Sequence, residues 1–500
     1  PAKRAVINEA VCEGCGDCSV KSNCLSVEPL ETEFGRKRTI NQSTCNKDFS
    51  CVTGFCPSFV TVEGGQLKKP KKAGGNDSGK GSAAAKASAM ERAKALPQPT
   101  LPSLAEQPYG VLVTGIGGTG VVTVGQILAM AAHVAGQACS VLDMSGLAQK
   151  GGPVLSHVRL AHSDEHIFST RVGTGAADLV IGCDVLVAAS KDAVARMGQG
   201  RTHAVINTTL APTAAFVRNP DWEYPDTSAA ETIRNACGED AVAAIDAGKI
   251  ATALMGDAIA TNMFMLGYAW QRGWVPLSEE ALMKAIELNG VSVSFNQQSF
   301  AWGRLAASDM ETVQREIKAS SPAQVIEFKR APSLEDIISK RVTFLIGYQN
   351  AAYAKQYQSL VEQVRSAESK LVGHGALKLT EAVAKYYFKL MAYKDEYEVA
   401  RLYTDPAFMK GLKQQFDGKL TLSFNLAPPL FAKKDAQGQP QKAEYGSWVW
   451  PMFKLLAKLK SLRGTRLDPL RSHEVGNAYC GNHDISPLDD VLRVFGSRVN

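Results

Sequence analysis

The sequence predicts an α/β protein in four parts: a small cysteine-rich module over residues 1–67, a linker over 68–108, a Rossmann-like doubly wound domain over 109–332, and a mainly helical C-terminal domain over 333–500. Three observations carry this division. Seven of the eleven cysteines fall in the first 56 residues. A buried-strand pattern, a glycine turn and an apolar helix follow one another from Tyr109 to Ala135. From about Ser333 onward, apolar residues recur at helical spacing. A chain of 500 residues exceeds one ordinary core, so several domains are expected. Its hydrophobic share of 45% and charged share of 21% are those of a globular protein. No run of about eighteen apolar residues offers a membrane span. The opening "PAKRAVINEAVCEGC" lacks the apolar region of a signal peptide, so a cytoplasmic protein is expected. It starts close to a cysteine motif, which fits a piece of a longer polypeptide or one subunit of a complex. The net charge is only +6, part of it in local runs such as "LKKPKK" at 67–72, and no finger, RRM or KH signature is present. No nucleic-acid partner is expected.

The first part is read from its cysteines: Cys12, Cys15, Cys18, Cys24, Cys45, Cys51 and Cys56. A dense block in a cytosolic protein is metal-binding more often than disulfide-bonded. Zinc usually draws cysteine pairs from two separated knuckles. Here the third cysteine follows the second after only two residues, which is the C-x₂-C-x₂-C spacing that wraps one iron–sulfur cube. The remote fourth ligand of such a cube is typically a Cys followed by Pro, and "FCPSF" supplies Cys56–Pro57. Cys12, Cys15, Cys18 and Cys56 are therefore assigned to one [4Fe–4S] cluster in a ferredoxin-like module. Cys24, Cys45 and Cys51 would serve a second cluster. That set is one ligand short: Leu25 stands where Pro is usual, and "CNKDFSCVTGFC" contains no C-x₂-C. Either a non-cysteine ligand completes it, with Asp48 the nearest candidate, or the cluster is [3Fe–4S] or absent. Asp48 reads more simply as a solvated turn residue. Cys139, Cys183, Cys237 and Cys480 are scattered and read as small core residues.

Residues 68–108 are rich in Lys, Gly, Ala, Ser and Pro, with helix expected only around Ala83–Ala95. The next part opens on a strand at Val111–Val113, followed by glycines at Gly115, Gly117, Gly118 and Gly120, a helix ending at Gly136, and a strand at Cys139–Leu142. Strand, glycine turn and helix N-terminus together make an anion site. Taken alone this reads as an NAD site, with Asp143 where a ribose-binding acid belongs. The same glycines would also serve tight turns and close packing, or another phosphate-bearing ligand. "SGLAQKGGPVLSHVRL" (145–160) then adds a second glycine loop holding Lys150. Further strands are expected in "ADLVIGCDVLVAA" and "AVINTTL", and a helix in "NMFMLGYAWQRG".

At this point the residues resemble a known family. "VCEGCGDCSVKSNC…GRKRTINQSTCNKDFSCVTGFCPSF", "GIGGTGVVT" and "SGLAQKGGPV" look like the bacterial long-form indolepyruvate ferredoxin oxidoreductases, 2-oxoacid:ferredoxin oxidoreductases. The resemblance runs through essentially the whole chain. It implies oxidative decarboxylation of a 2-oxoacid (an arylpyruvate, from the family name) on thiamine diphosphate and Mg2+, acyl transfer to coenzyme A, and electrons leaving through [4Fe–4S] clusters to ferredoxin. It also implies that the glycine-loop domain is a gamma domain rather than an NAD-binding one. Gly115, Gly117, Gly118, Gly120, Ser145, Gln149, Lys150, Gly151 and Gly152 would then line its interface with the thiamine site. No Gly-Asp-Gly thiamine motif is present. The chain would be the electron-transfer and gamma portion, without catalytic residues of its own, and would need a thiamine-binding subunit or N-terminal part in a homodimeric assembly. Two other readings compete. An iron–sulfur subunit of an NAD(P)H- and flavin-linked oxidoreductase would need two dinucleotide fingerprints, and one is found. A zinc-stabilised interaction module fits the cysteine spacing poorly.

In the C-terminal part, Leu379, Val383, Tyr387 and Met391 mark one helix face, with Tyr386, Lys394 and Glu398 on a solvated one. "KLTLSFNLAPPLF" reads as a strand entering a Pro turn. "WVWPMFKLLAKLKSLRGTRLDPLR" reads as a packed helix with basic edges, ahead of one that touches an anionic membrane or acidic ferredoxin. His374, His473 and His483 read as structural or surface residues, and docking of a partner or dimer is the expected role of this part.

Overall fold

A computed structural model describes residues 3–54, 56–68, 89–104, 107–145, 152–209, 219, 228–320, 333–372, 376–428, 432–433, 441–463, 465, 468 and 470. His374, His473, His483, Cys480 and most of the linker lie outside them.

The cysteine module hangs on short strands. β1 (Lys3–Ile7) buries Ala5, Val6 and Ile7. β2 (Val27–Thr32) and β3 (Gly35–Ile40) form a hairpin turning at Glu33–Phe34, and β4 (Phe59–Glu63) pairs antiparallel with β1. β5 (Gln66–Leu67) ends the module, and the linker shows helix at Ala89–Lys94.

The central domain contains β6 (Tyr109–Ile116), β7 (Ala138–Ser145), β8 (Pro153–Ala161), β9 (Leu179–Gly182), β10 (His203–Asn207) and β11 (Val242–Ile245), in sheet order β11-β10-β9-β6-β8-β7. β11, β10, β9 and β6 run parallel, with short helices Val185–Ala188 and Lys191–Val194 between β9 and β10. β8 is antiparallel to both of its neighbours, so the sheet is mixed rather than purely doubly wound. The physical reason is local: the loop from β7 to β8 returns the chain as a hairpin, which needs no crossover helix. The predicted helix after the glycines is Val121–Val134, with Gly136 left-handed just beyond it. Helix Ala260–Gln271 is buried on nearly all sides. It crosses helix Val293–Ser308 through Gly267 and Gly303. A Cβ on Gly303 would stand 1.9 Å from the Phe264 carbonyl oxygen, and one on Gly267 2.0 Å from that of Phe300. Cys183 and Cys237 are buried and Cys139 is half-buried. Among the described residues no single helix is long and apolar enough to cross a membrane.

In the last part, the Ser333 hydroxyl and the Asp336 carboxylate form a capping box for helix Leu334–Tyr348. Helices Ala351–Val372 and Lys378–Met391 pack against it. The buried line of the latter is Thr380, Ala384, Phe388 and Met391; Met391 is on it as predicted, while Leu379, Val383 and Tyr387 are half-buried one residue before the first three. Two residues placed on a solvated face are not there. Glu398 is fully buried and takes two 2.7 Å hydrogen bonds from Arg401. Lys394 is largely buried, 3.5 Å from Glu13. Pattern alone missed both because each charge is covered by a partner. Tyr386 is exposed, as expected. Helices Glu396–Thr404 and Pro406–Gln415 lead to β12 (Phe416–Asp417), β13 (Thr421–Leu426), β14 (Ala443–Tyr445) and helix Trp450–Lys458. β12 pairs with β5.

These C-terminal strands close the sheet of the cysteine module. Its order is β1-β4-β13-β14, with Phe424 opposite Val60. One core holds Val6, Val60 and Val62 together with Tyr403, Phe424 and Phe453. Phe34, at the tip of the β2–β3 hairpin, packs on Phe344 and Phe388. The two ends of the chain thus form one body.

Candidate iron–sulfur site and glycine loop

The cysteine loop can wrap tightly because Gly14 and Gly16 take left-handed backbone (φ +73° and +82°). A side chain on Gly14 would put its Cβ 2.1 Å from the Arg36 carbonyl oxygen. The Gly14 N–H donates to Cys12 Sγ at 3.3 Å, and the Cys56 thiol donates to the Ser58 hydroxyl at 3.0 Å. Cys18 sits on the short helix Asp17–Ser22. Cys12, Cys18 and Cys51 are buried, Cys24, Cys45 and Cys56 half-buried and Cys15 exposed, and all seven are free thiols.

Mutual electrostatics sorts the seven into two sets. Burial, then the charges of Cys12, Cys15 and Cys56, pushes the Cys18 thiol up to about 12. Cys12 is raised by burial and by Cys56, and Cys56 by burial and by Cys15. Cys51 is pushed up to about 12 by burial and then by Cys24 and Cys45, with weaker effects from Cys18 and Asp48. Cys45 is raised by burial, Cys24 and Asp48. Burial and crowding penalise the thiolates of Cys12, Cys18, Cys45, Cys51 and Cys56 until a cation compensates them. That donor chemistry suits an iron–sulfur group, whose thiolate ligands each bind a different iron. Among the described residues no three His, Cys, Asp or Glu side chains converge as they would on a single metal ion. Asp48 stands in an exposed turn between Lys47 and Phe49, both left-handed (φ +62° and +58°), and its carboxylate accepts from the Ser50 N–H at 3.0 Å and hydroxyl at 2.8 Å.

Buried polar groups surround the first set, and the sequence reading passed over them. Arg38 is 1% exposed and lies within the fields of Cys18, Cys12 and Cys15. Lys37 is 6% exposed and acts on Cys12. Lys442, next to β14, hydrogen-bonds through Nζ to the Cys56 carbonyl and, at 3.2 Å, to that of Val52. The fully buried Tyr403 donates its hydroxyl to the Pro57 carbonyl at 2.6 Å. No local signal announces Lys442 or Tyr403, because nearly the whole chain separates them from Cys56.

The glycine loop joins β6 to helix Val121–Val134. Gly118 and Gly120 are left-handed (φ +87° each), and Gly118 is exposed at the tip. Gly115 is a packing glycine, since a Cβ there would come within 2.6 Å of Val121 Cγ2. The Gly117 N–H is already spent on the Gly152 carbonyl at 2.8 Å, which ties the two predicted loops together. Asn262 Nδ2 donates to the Thr119 carbonyl at 2.8 Å and pins the loop to helix Ala260–Gln271. Ser145, at the end of β7, is exposed and opposite Val154. Gln149, Lys150 and Gly151 lie outside the described residues. Asp143 is exposed on edge strand β7, with β8 between it and β6. A Rossmann ribose-binding acid ends the strand beside the glycine strand, so Asp143 cannot play that part. The acid that does end the neighbouring strand β9 is Asp184. It is buried, caps helix Val185–Ala188 by accepting from the Val187 N–H at 2.9 Å, and has its pKa raised by burial.

Comparison with known proteins fits this geometry. Residues 110–304 match the family described as pyruvate ferredoxin/flavodoxin oxidoreductase, and residues 334–477 match DUF6537, a family of unknown function. Over 205 residues the chain is 26% identical to the indolepyruvate oxidoreductase subunit IorB of Thermococcus kodakarensis, covering 40% of this chain and 97% of that subunit. It is 27% identical over 203 residues to IorB of Methanothermobacter thermautotrophicus, covering 40% and 98%. Solved structures that align are pyruvate oxidoreductase subunit PORC of Thermotoga maritima (21% identity, 40% of this chain and 96% of that one, TM-score 0.29) and the gamma subunit of keto/oxoacid ferredoxin oxidoreductase from Geobacter sulfurreducens (20%, 40% and 98%, TM-score 0.29). This stretch, residues 110–304 and about two fifths of the chain, is similar to the pyruvate ferredoxin/flavodoxin oxidoreductase family and to these relatives. Its particular relatives there are indolepyruvate oxidoreductase subunits, which two fifths of this chain cover almost end to end.

Proposed function

We propose that this chain is the electron-transfer and gamma portion of a cytoplasmic, thiamine diphosphate-dependent 2-oxoacid:ferredoxin oxidoreductase that acts on an arylpyruvate such as indolepyruvate. The assembled enzyme would convert 2-oxoacid and coenzyme A to acyl-CoA and CO2 and deliver two electrons to ferredoxin. Thiamine diphosphate and Mg2+ would sit on a partner subunit or N-terminal part. The observation that carries the reading is the gathering of seven free cysteines into two neighbouring sets, in a chain whose central domain matches this family's model. Cys12, Cys15, Cys18 and Cys56 would hold one [4Fe–4S] cluster, and Cys24, Cys45 and Cys51, with Asp48 nearest as a fourth ligand, a second. Bound there, the clusters supply one-electron relay. The chain's own residues do the rest. Gly14 and Gly16 let the loop wrap, β4 and β13 fix Cys56, and the tied glycine loops present Gly118 and Ser145 at one end of the sheet for the thiamine partner.

The test is iron, zinc and acid-labile sulfide analysis of anaerobically purified chain, with EPR of the reduced sample. About eight irons with a spectrum of two interacting clusters supports the full reading, and about four leaves only the first set occupied. Zinc without sulfide overturns it.

A further inference from the structure

The C-terminal unit matches a family of unknown function, and it contacts the cysteine module at several places. Arg341 donates to the Glu33 carbonyl at 3.1 Å and lies over Phe34. Lys394 reaches Glu13, between Cys12 and Cys15. Tyr403 holds the Pro57 carbonyl, β13 covers β4, and Lys442 brings an ammonium onto the Cys56 carbonyl. The surroundings of the two cysteine sets differ in charge. Beside the first stand Lys37, Arg38, Lys394 and Lys442, against Glu13 and Asp17. Beside Cys45, in the second, stand Asp48 and Arg4.

We propose that the C-terminal unit is the electrostatic housing of the first cluster, with Lys442 the positioning residue that raises its reduction potential relative to that of the second. The inference rests on the proposed function, since it presupposes clusters on both sets. Its physics is simple. A reduced cluster carries one more negative charge than an oxidised one. A half-buried cation held against a ligand's own backbone therefore stabilises the reduced form, and more strongly than a solvated cation would. Of the cysteines within the field of Lys442, Cys56 is the most strongly coupled and Cys51, of the second set, the least. The effect should fall mainly on the first cluster.

The experiment is an EPR-monitored redox titration of the full chain, purified anaerobically, as wild type, Lys442→Met and Lys442→Arg. Iron and sulfide are counted in each sample. Lys442→Met is expected to disfavour reduction of the first cluster about tenfold, a downward shift of about 59 mV for a one-electron couple, and to move the second cluster less. Lys442→Arg keeps the charge and should stay close to wild type. Full iron in Lys442→Met with no shift overturns the proposal, as does an equal shift in both variants or in both clusters. Loss of iron from Lys442→Met while Lys442→Arg keeps it makes the residue a structural clamp and also overturns the electrostatic assignment. A wild-type chain without iron and sulfide removes the proposed function itself, and with it this inference.

Discussion

If the C-terminal unit and the cysteine module are one body, a cavity cut in the C-terminal core must loosen cysteines that lie hundreds of residues away in sequence and leave the central domain intact. Phe424→Ala is the sharpest cut. Phe424 is fully buried on β13 and makes edge contacts to Tyr403 and Phe453, each at 5.0 Å between ring centroids, with Trp450 at 5.8 Å. Removing a buried Phe side chain costs about 3–5 kcal/mol, and the loss of two edge-to-face pairs puts this site toward the upper end. With a urea dependence of about 2–3 kcal/mol per molar, the transition of this body should move down by about 1–2 M. The assay is hydrogen exchange by mass spectrometry in low urea, with iron retention measured on the same samples. Peptides covering β1, β4, the cysteine loops and helix Glu396–Thr404 should lose protection together, and iron should leave with them. Peptides from β6, β9 and helix Ala260–Gln271 should exchange as in wild type. Protection lost only from C-terminal peptides, with the cysteine module unchanged, would refute the shared core. Equal loss in the central domain would refute its independence.

Three further outcomes follow from other parts of the structure. Gly14→Ala should empty the first cysteine set, because the new Cβ meets the Arg36 carbonyl at 2.1 Å and left-handed backbone costs a non-glycine residue about 1–2 kcal/mol; iron analysis should show the loss confined to that cluster. Glu279→Ala should destabilise the central domain by about 3–5 kcal/mol, read by denaturant titration, because it strips the carboxylate from the fully buried Arg304, which keeps Gln271 at 2.9 Å and the Trp270 ring. His157 should make that domain acid-sensitive. It is fully buried on β8, its Nδ1 accepts from the Val172 N–H at 3.3 Å, and burial, then Arg171 and Arg196, lowers its pKa to about 4. The folded pKa lies below the unfolded one, so protonation favours unfolding. Stability is therefore held above about pH 6.5 and lost as pH falls toward 4, by about 2 kcal/mol between pH 7 and pH 5, and thermal melts of His157→Gln should lack this acid limb.

Local chemistry was legible wherever a short stretch must close on itself. Cys12, Cys15 and Cys18 are closely spaced, and the glycines between them, Gly14 and Gly16, take the left-handed backbone a tight loop needs. Ser333 and Asp336 cap a helix within four residues. Strand, glycine turn and helix from Tyr109 to Val134 are likewise written in consecutive residues. Charges that look solvated by periodicity were misread, because Glu398 and Lys394 are covered by Arg401 and by Glu13, and periodicity does not see partners.

The sequence by itself determined the cysteine spacing, the order of the elements and the family resemblance, since each depends on spacing along a few tens of residues. Only the tertiary structure decided that β8 enters between β6 and β7, taking Asp143 away from the glycine loop, and that Gly117 and Gly152 tie the two loops. It alone decided that β13 closes the sheet of the cysteine module and brings Tyr403 and Lys442 to Cys56–Pro57. Strand pairing and buried hydrogen bonds between residues hundreds of positions apart are set by which surfaces must leave water together, and no local pattern records that choice.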